Sequence, residues 1–473
     1  MIRIITIIAG VYFLAGCSLF SGRSVPQAIA ETPEQWQSEH DPAEVSAWLD
    51  EFNQPALRLM IDDAFEKNPN LLSQAANVQL AIIQARIAGA DRWPELSAGL
   101  GSSRNKRSNT SGFSLASLYS TSYNLSLDIS WELDVWGRLG NGVKAAFYEQ
   151  EAAKADFQAA RYSLVSTVLK AWFDGIEAKQ QLALSDKTVE NFQQVLEIVE
   201  SGYDSGLYRA LDVRLARSNL LGAVSRQQRY QITKNQTTRS LEILLGRYPS
   251  AHLKFPSVLP ALSQTILAGV PGDLLNRRPD ILAAKRRFKA LDQRHIKAKK
   301  DRLPALRLSG SGGTSTNDVK DLLDSDFIVW NFASGLLQPL FQGGRLDAQR
   351  DEAYIRWQQA ESNYRNVVLQ AFNEVETLLF SEKWLGEQQQ ALSTMAKELH
   401  EAEILASEDY VAGLTDINTL LQTQRQAFDA QSSLLEIRKE QLHNRINLYL
   451  ALGGPVTADE LMDKTTETHV HKN

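Results

Sequence analysis

Two hydrophobic periodicities alternate along this chain, and together they predict very long helices interrupted by a few strands. From Leu139 to Ser201 and again from Leu346 to Asp409 there is no proline and little glycine, while Ala, Glu, Gln, Leu and Lys, all good helix formers, abound. In the first stretch Leu164, Val168, Trp172 and Ile176 recur at the spacing of one helix face, and Val165, Leu169 and Phe173 widen the stripe. A helix of roughly 63 residues extends about 95 Å, so it needs neighbours along its whole length. Shorter helices are predicted from about Pro69 to Trp93 and from Asp212 to Leu245. End to end these cover roughly 58 residues, or about 87 Å, so two short helices in series match one long one. Pro279 to Leu303 and Asp416 to Leu452 repeat the arithmetic in the second half.

The other period is two. Tyr123, Leu125, Leu127, Ile129, Trp131 and Leu133 alternate with Asn124, Ser126, Asp128, Ser130 and Glu132. An apolar face ending in aromatics, backed by a small and acidic face, is what a barrel strand shows to lipid and to a wet lumen. Leu96, Ala98 and Leu100 form a second strand, Leu306 and Leu308 a third, and about Phe327 to Leu340 a fourth, led by Trp330, Phe332 and Leu336. The stretch Arg104 to Ser122, rich in Ser, Asn and Gly, has loop composition. Four strands cannot close a barrel, and an open edge in lipid leaves backbone groups unsatisfied, so the chain must oligomerise. Two copies give a side-chain-filled lumen and three give room for a channel; polar inner faces favour the wetter option.

The pattern is one unit written twice. Pro69 pairs with Pro279, Asp91-Arg92 with Asp301-Arg302, Pro94 with Pro304 and Leu96 with Leu306. After a slip, Leu133 pairs with Leu340, Gly137-Arg138-Leu139 with Gly344-Arg345-Leu346, Phe173 with Phe380, Tyr203 with Tyr410, Gly206-Leu207 with Gly413-Leu414 and Leu245-Gly246 with Leu452-Gly453. Tyr203 to Gly206 and Tyr410 to Gly413 become turns between long and short helices.

Composition narrows the classes. Apolar and charged fractions are ordinary, the net charge of −6 is mildly acidic, and no basic stripe interleaved with aromatics tracks a phosphate backbone, which argues against nucleic acid. Arg3 precedes an apolar run, Ile4 to Leu14, of the length of a signal-peptide core. It ends in Leu14-Ala15-Gly16-Cys17, which resembles the bacterial lipobox, so Cys17, the single cysteine, is the expected site of a covalent lipid. Ser18 after it is compatible with export to the outer membrane. No other cofactor is expected. No phosphate-binding glycine loop, nucleophile elbow or His/Cys cluster with metal spacing is present, so neither catalytic nor metal residues are assigned. His469 and His471 fall in a polar tail.

The segment Leu274-Leu275-Asn276-Arg277-Arg278-Pro279-Asp280-Ile281 is similar to the LLxRRPDI signature of TolC-like outer-membrane factors that serve resistance-nodulation-division efflux pumps. Trp131 to Arg138 and Gln338 to Arg345 resemble that family's paired strand-to-helix junctions, and the two YxxGL turns its periplasmic tips. The resemblance, which runs to about Gly454, implies an α+β membrane protein: a trimer, with a twelve-stranded transmembrane β-barrel continuous with a long α-helical periplasmic barrel, and two internal repeats per chain. It also implies a periplasmic adaptor (membrane fusion protein), an inner-membrane pump of the resistance-nodulation-division type and outer-membrane lipid as partners. The chain then divides into a signal peptide 1–16, a lipidated linker 17–54, repeats 55–250 and 272–454 separated by 251–271, and a tail 455–473. The function implied is a passive conduit exporting small toxic compounds. Metal-ion efflux and type I protein secretion keep the same fold, although no Met or Cys cluster serves soft metals. A periplasmic lipoprotein enzyme or structural spacer is the reading from another class.

Local chemistry gives Arg277, Arg278, Pro279 and Asp280 the reading of a helix start, with Arg278 held extended before Pro279 and Asp280 at the positive end of the helix. Gly206, Leu207, Gly413 and Leu414 are the expected adaptor-docking ends. The resemblance also places a periplasmic gate here. Asp212 is expected to accept a hydrogen bond from Tyr410, with Thr419 and Gln422 at the positions where relatives carry acidic rings and Asp416 close by. Thr419 and Gln422 lack that charge, Asp416 partly replaces it, and Thr415 stands where a basic residue shares the link.

Overall fold

A computed structural model describes residues 36–37, 51–52, 55–108, 117–262 and 271–453. Cys17, the signal segment, most of the linker and the tail lie outside the described residues. The elements are α1 (Pro55–Lys67), α2 (Pro69–Ala90), β1 (Glu95–Ser108), β2 (Ser117–Leu133), α3 (Arg138–Asp204), α4 (Ala210–Leu244), α5 (Leu274–Arg277), α6 (Pro279–Lys300), β3 (Ala305–Thr316), β4 (Ile328–Leu337), α7 (Arg345–Val411) and α8 (Ile417–Ala451). Corresponding helices of the two halves have equal lengths: 22 residues for α2 and α6, 67 for α3 and α7, 35 for α4 and α8. No described helix is long and apolar enough to cross a membrane.

The chain forms two compact units. The first, Asn77–Lys154 and Ala283–Arg365, holds an antiparallel sheet in the order β1-β2-β3-β4. The register sets Leu96 against Ile129, Leu125 against Thr314 and Gly310 against Phe332, so Leu96, Ala98 and Leu100 of β1, the odd-numbered residues Tyr123 to Leu133 of β2, Leu306 and Leu308 of β3 and Ile328, Trp330, Phe332 and Leu336 of β4 share one face, while Val329 and Leu337 fall on the other. The opposite face is tied by polar contacts: Ser126 Oγ donates to Asp128 at 2.7 Å and Ser315 Oγ to Asn124 at 2.8 Å. The expected loop Arg104 to Ser122 is largely strand, because β1 continues to Ser108 and β2 begins at Ser117. Cross-strand pairing carries the ladder where the alternation fades: Lys106 lies opposite Tyr119. The fourth strand stops at Leu337, before Pro339, which has no N–H to give. At the sheet's base Trp131 and Trp136 donate their indole N–H to the carbonyls of Arg92 and Pro304. Asp134 caps α3 by accepting from the Leu139 and Gly140 amides, and Arg138 bridges Glu132 (2.6 Å) and Asp301 (3.1 Å).

The second unit comprises the described residues up to Ala76, from Ala155 to Leu282 and from Asn366 to Gly453. Its core contains the predicted stripe: Val165, Val168, Leu169, Trp172, Phe173 and Ile176 are buried. Here the short helices meet end to end. Asn68, just before α2, donates to the Leu244 carbonyl that ends α4 (2.9 Å) and caps α2 by accepting from the Leu71 amide (3.0 Å). At the equivalent point of the second half Arg278, just before α6, donates to the Ala451 carbonyl that ends α8 (2.9 Å). Both seams close on a glycine with positive φ, Gly246 (65°) and Gly453 (64°). A Cβ on Gly246 would run into the Lys67 carbonyl, and one on Gly453 would press on the Arg277 backbone.

Gly206 shares the left-handed conformation of Gly246 (φ 75°) but has open space where its Cβ would be. Gly206→Ala should therefore cost about 1 kcal/mol for the backbone alone. Gly246→Ala should cost a further 1–3 kcal/mol or so, because a well-packed neighbour must move. Thermal unfolding followed by circular dichroism separates the two, and equal shifts would show that close approach does not matter at Gly246.

Candidate functional site

Two places in the second unit gather the residues that the sequence singles out. The first is the pair of helix ends where α3 turns into α4 and α7 into α8. Both use the same six-residue stop: Leu207 N–H donates to the Gly202 carbonyl and Gly206 N–H to Tyr203, as Leu414 N–H does to Asp409 and Gly413 N–H to Tyr410. Gly206 and Gly413 hold φ at 75° and 73°, which an L side chain resists. The turns then throw Leu207 and Leu414 outward, 78% and 76% exposed, so neither leucine completes its own hairpin's core. That core is made instead by Phe192, Val195, Val199, Ala216, Tyr410, Ile417, Leu420 and their neighbours.

Within this frame the expected gate residues fall into two different capping schemes. Asp212 is buried at the third position of α4 and accepts from the Arg209 backbone N–H at 3.0 Å, with the Arg209 guanidinium at 3.2 Å. In the second half the acid sits at the cap itself: Asp416 accepts from the Thr419 amide (2.9 Å) and hydroxyl (3.3 Å). Arg209 and Asp416 are equivalent positions, as are Asp212 and Thr419, so the carboxylate has moved from one end of the capping box to the other. The hydrogen bond from the Thr419 amide, first among the causes, holds the Asp416 carboxyl below its usual range. Asp416, Thr419 and Gln422 are exposed.

The expected hydrogen bond from Tyr410 to Asp212 is not formed. The Tyr410 hydroxyl is buried and has no hydrogen-bond partner among the described residues. Two residues that the sequence reading passed over explain this. Arg209 engages both oxygens of Asp212, and Tyr208 stacks on the Tyr410 ring with centroids 5.4 Å apart and planes at 16°. Gly202 makes room for that ring, since any Cβ there would overlap Tyr208. Burial, reinforced by Tyr208 and the nearby Asp212 charge, pushes the phenol above its ordinary range, so it stays protonated.

The second place is the signature. Pro279 opens α6, and Arg278 before it is extended (φ −73°, ψ 120°), as the residues before a proline prefer. Its guanidinium grips Asp280 with two parallel bonds (3.1 and 2.8 Å) and reaches Glu374 on α7 at 2.8 Å, besides the Ala451 carbonyl. The helix-start reading holds, and the structure adds a long-range tie to two further helices. Glu374 carries no local signal of that role. Asn68 does, since it occupies Arg278's place in the other half.

The chain matches the sequence profile of the outer membrane efflux protein family over residues 60–247 and 270–454. It is 31% identical over 422 residues to the pyoverdine export outer membrane protein OpmQ of Pseudomonas putida, covering 87% of this chain and 88% of that protein. It is 30% identical to the outer membrane protein OprJ of Pseudomonas aeruginosa, covering 84% of each. Its fold superposes on the open-state MtrE outer membrane channel of Neisseria gonorrhoeae with a TM-score of 0.78, at 28% identity, over 92% of this chain and 98% of that one.

The two capping schemes predict unequal mutational costs. Asp212→Ala removes a cap and should destabilise by about 1 kcal/mol. Tyr410→Phe removes a hydroxyl that makes no bond and should leave the melting temperature unchanged or slightly raised. If Tyr410→Phe melts as low as Asp212→Ala, and the double variant no lower, the phenol and carboxylate are joined after all.

Proposed function

The chain belongs to the outer membrane efflux protein family, and from that premise we propose that it is the outer-membrane channel of a tripartite efflux pump. It is a passive conduit for small toxic compounds, placed in the outer membrane and reaching into the periplasm, and it draws its energy from partners. The observation that carries this reading is the sheet, which presents one apolar face and has unpaired edges at β1 and β4. Closure by three copies gives a twelve-stranded barrel with a polar lumen, and each of the two repeats, 55–250 and 272–454, contributes two of a copy's four strands together with its own helices. A lipid on Cys17 adds a second hold on the membrane, since several acyl chains anchor firmly.

The exposed hairpin ends are the docking points for a periplasmic adaptor, which couples the channel to an inner-membrane pump of the resistance-nodulation-division type. Leu207 and Leu414 are the apolar anchors there. Closing of the aperture rests on the exposed Asp416, Thr419 and Gln422 of each copy, while Asp212 and Tyr410 brace the hairpins from within. Cargo is selected upstream, so the same conduit also suits metal-ion efflux or type I secretion. Deletion, followed by drug and metal sensitivity and by identification of cross-linked partners, decides among these: a drug-sensitive strain with an adaptor and pump recovered supports the proposal, and an unchanged strain contradicts it.

Leu207→Ser combined with Leu414→Ser should reduce adaptor cross-linking severalfold while leaving the channel's thermal stability unchanged, because both side chains stand in solvent. Undiminished cross-linking would remove these leucines from the docking surface.

A further inference from the structure

The apolar face of the sheet ends, on the side away from the helices, in a pair of cations. Register sets Arg104 opposite Thr121 and Lys106 opposite Tyr119, and alternation puts both on the face that carries Leu96, Ala98 and Leu100. The Arg104 guanidinium carbon lies 5.4 Å from the centroid of the Tyr119 ring and the Lys106 ammonium 5.5 Å from it. Both side chains are exposed, and neither has an ion pair among the described residues. Two like charges gathered over one ring repel each other, and the ring's quadrupole offsets only part of that. An anion between them would be held by both.

Position identifies the anion. Trp131 marks the helix-side border of the apolar face, and Thr121, beside Arg104, lies ten residues back toward the start of β2. At about 3.3 Å per residue and a tilt near 40°, that is about 25 Å along the membrane normal, the height of a barrel's apolar band. The helices leave from the Trp131 end, since β2 finishes at Leu133 and α3 starts at Arg138, so Arg104 and Lys106 stand at the opposite, cell-exterior border. We propose that Arg104 and Lys106, braced on Tyr119, bind a phosphate of the phosphorylated glycolipid that forms the outer leaflet. This rests on the outer-membrane reading given above. Asp318, Asp321, Asp324 and Asp326 lie in the loop after β3, and among the described residues Asp318 is ion-paired with Lys320 at 3.2 Å. The mixed local charge means that attraction comes from contact with the phosphate rather than from a long-range field.

The test uses full-length protein in detergent, titrated with bisphosphorylated lipid A, with its dephosphorylated form and with phosphatidylglycerol, bound lipid being counted by native mass spectrometry. Wild type should bind bisphosphorylated lipid A at least about fivefold more tightly than the other two, since charge-assisted phosphate contacts are strong. Arg104→Ser/Lys106→Ser should lose that preference, and Arg104→Lys/Lys106→Arg should keep most of it. Equal binding by the double serine variant, or equal affinity for the dephosphorylated form, overturns the site. Equal affinity for phosphatidylglycerol overturns the choice of glycolipid. Insertion into phospholipid vesicles is followed by flotation for the same samples: protein that inserts but has no lipid preference sinks the site alone, whereas wild type that does not insert sinks the outer-membrane reading and the site with it.

Discussion

A sheet with one apolar face and two unpaired edges cannot rest in hydrocarbon as it stands. Each backbone N–H or C=O left open there costs several kcal/mol, and β1 and β4 both end the ladder with such rows. The rest of the sheet is consistent with the proposed pairing of those edges with further copies. The sheet is too narrow to curl on itself, its polar face is bonded across the strands as a wet surface would be, and its base is fixed by Trp131, Trp136, Asp134 and Arg138, which join strand to helix by hydrogen bonds. Those joints matter to the proposed closure, because edge strands of separate copies could pair only if each sheet holds its tilt.

The helical unit solves a related problem of ends. A helix end leaves backbone groups without intrahelical partners, and two short helices in series double the number of such ends. The chain spends one polar side chain at each seam, Asn68 in the first half and Arg278 in the second, each donating to the last carbonyl of the short helix that ends there, Leu244 of α4 and Ala451 of α8. Glycines with positive φ let the backbones approach. Arg278 does more than Asn68, because its five donors also reach Asp280 and Glu374. The signature RRPD is thus a structural seam whose second copy is written in a different residue.

Most of this was legible in the sequence. Long helices without proline, strict alternation in β2 and the paired turns at Gly206 and Gly413 are local patterns, and local patterns fix local structure. The ends of β1 and β2 were not legible, since Arg104 to Ser108 and Ser117 to Ser122 lack a regular alternation of apolar and polar residues, Leu118 and Tyr119 falling on opposite faces, and cross-strand pairing carries the ladder there. The Tyr410 link failed for a similar reason. Position in a family pattern implies the link, whereas the outcome depends on competition: Arg209, three residues before Asp212, takes the carboxylate, and Tyr208 takes the ring. Glu374 could not have been found, because nothing near it in sequence announces a contact with Arg278.

The account's central claim is that these sheets close with one another into a channel of three copies. Its most direct test is the mass of the detergent-extracted full-length protein by native mass spectrometry. The account predicts a complex of three chains that persists when activated only mildly. A single chain, or a complex of two, would contradict it, because neither leaves a closed barrel with an open lumen.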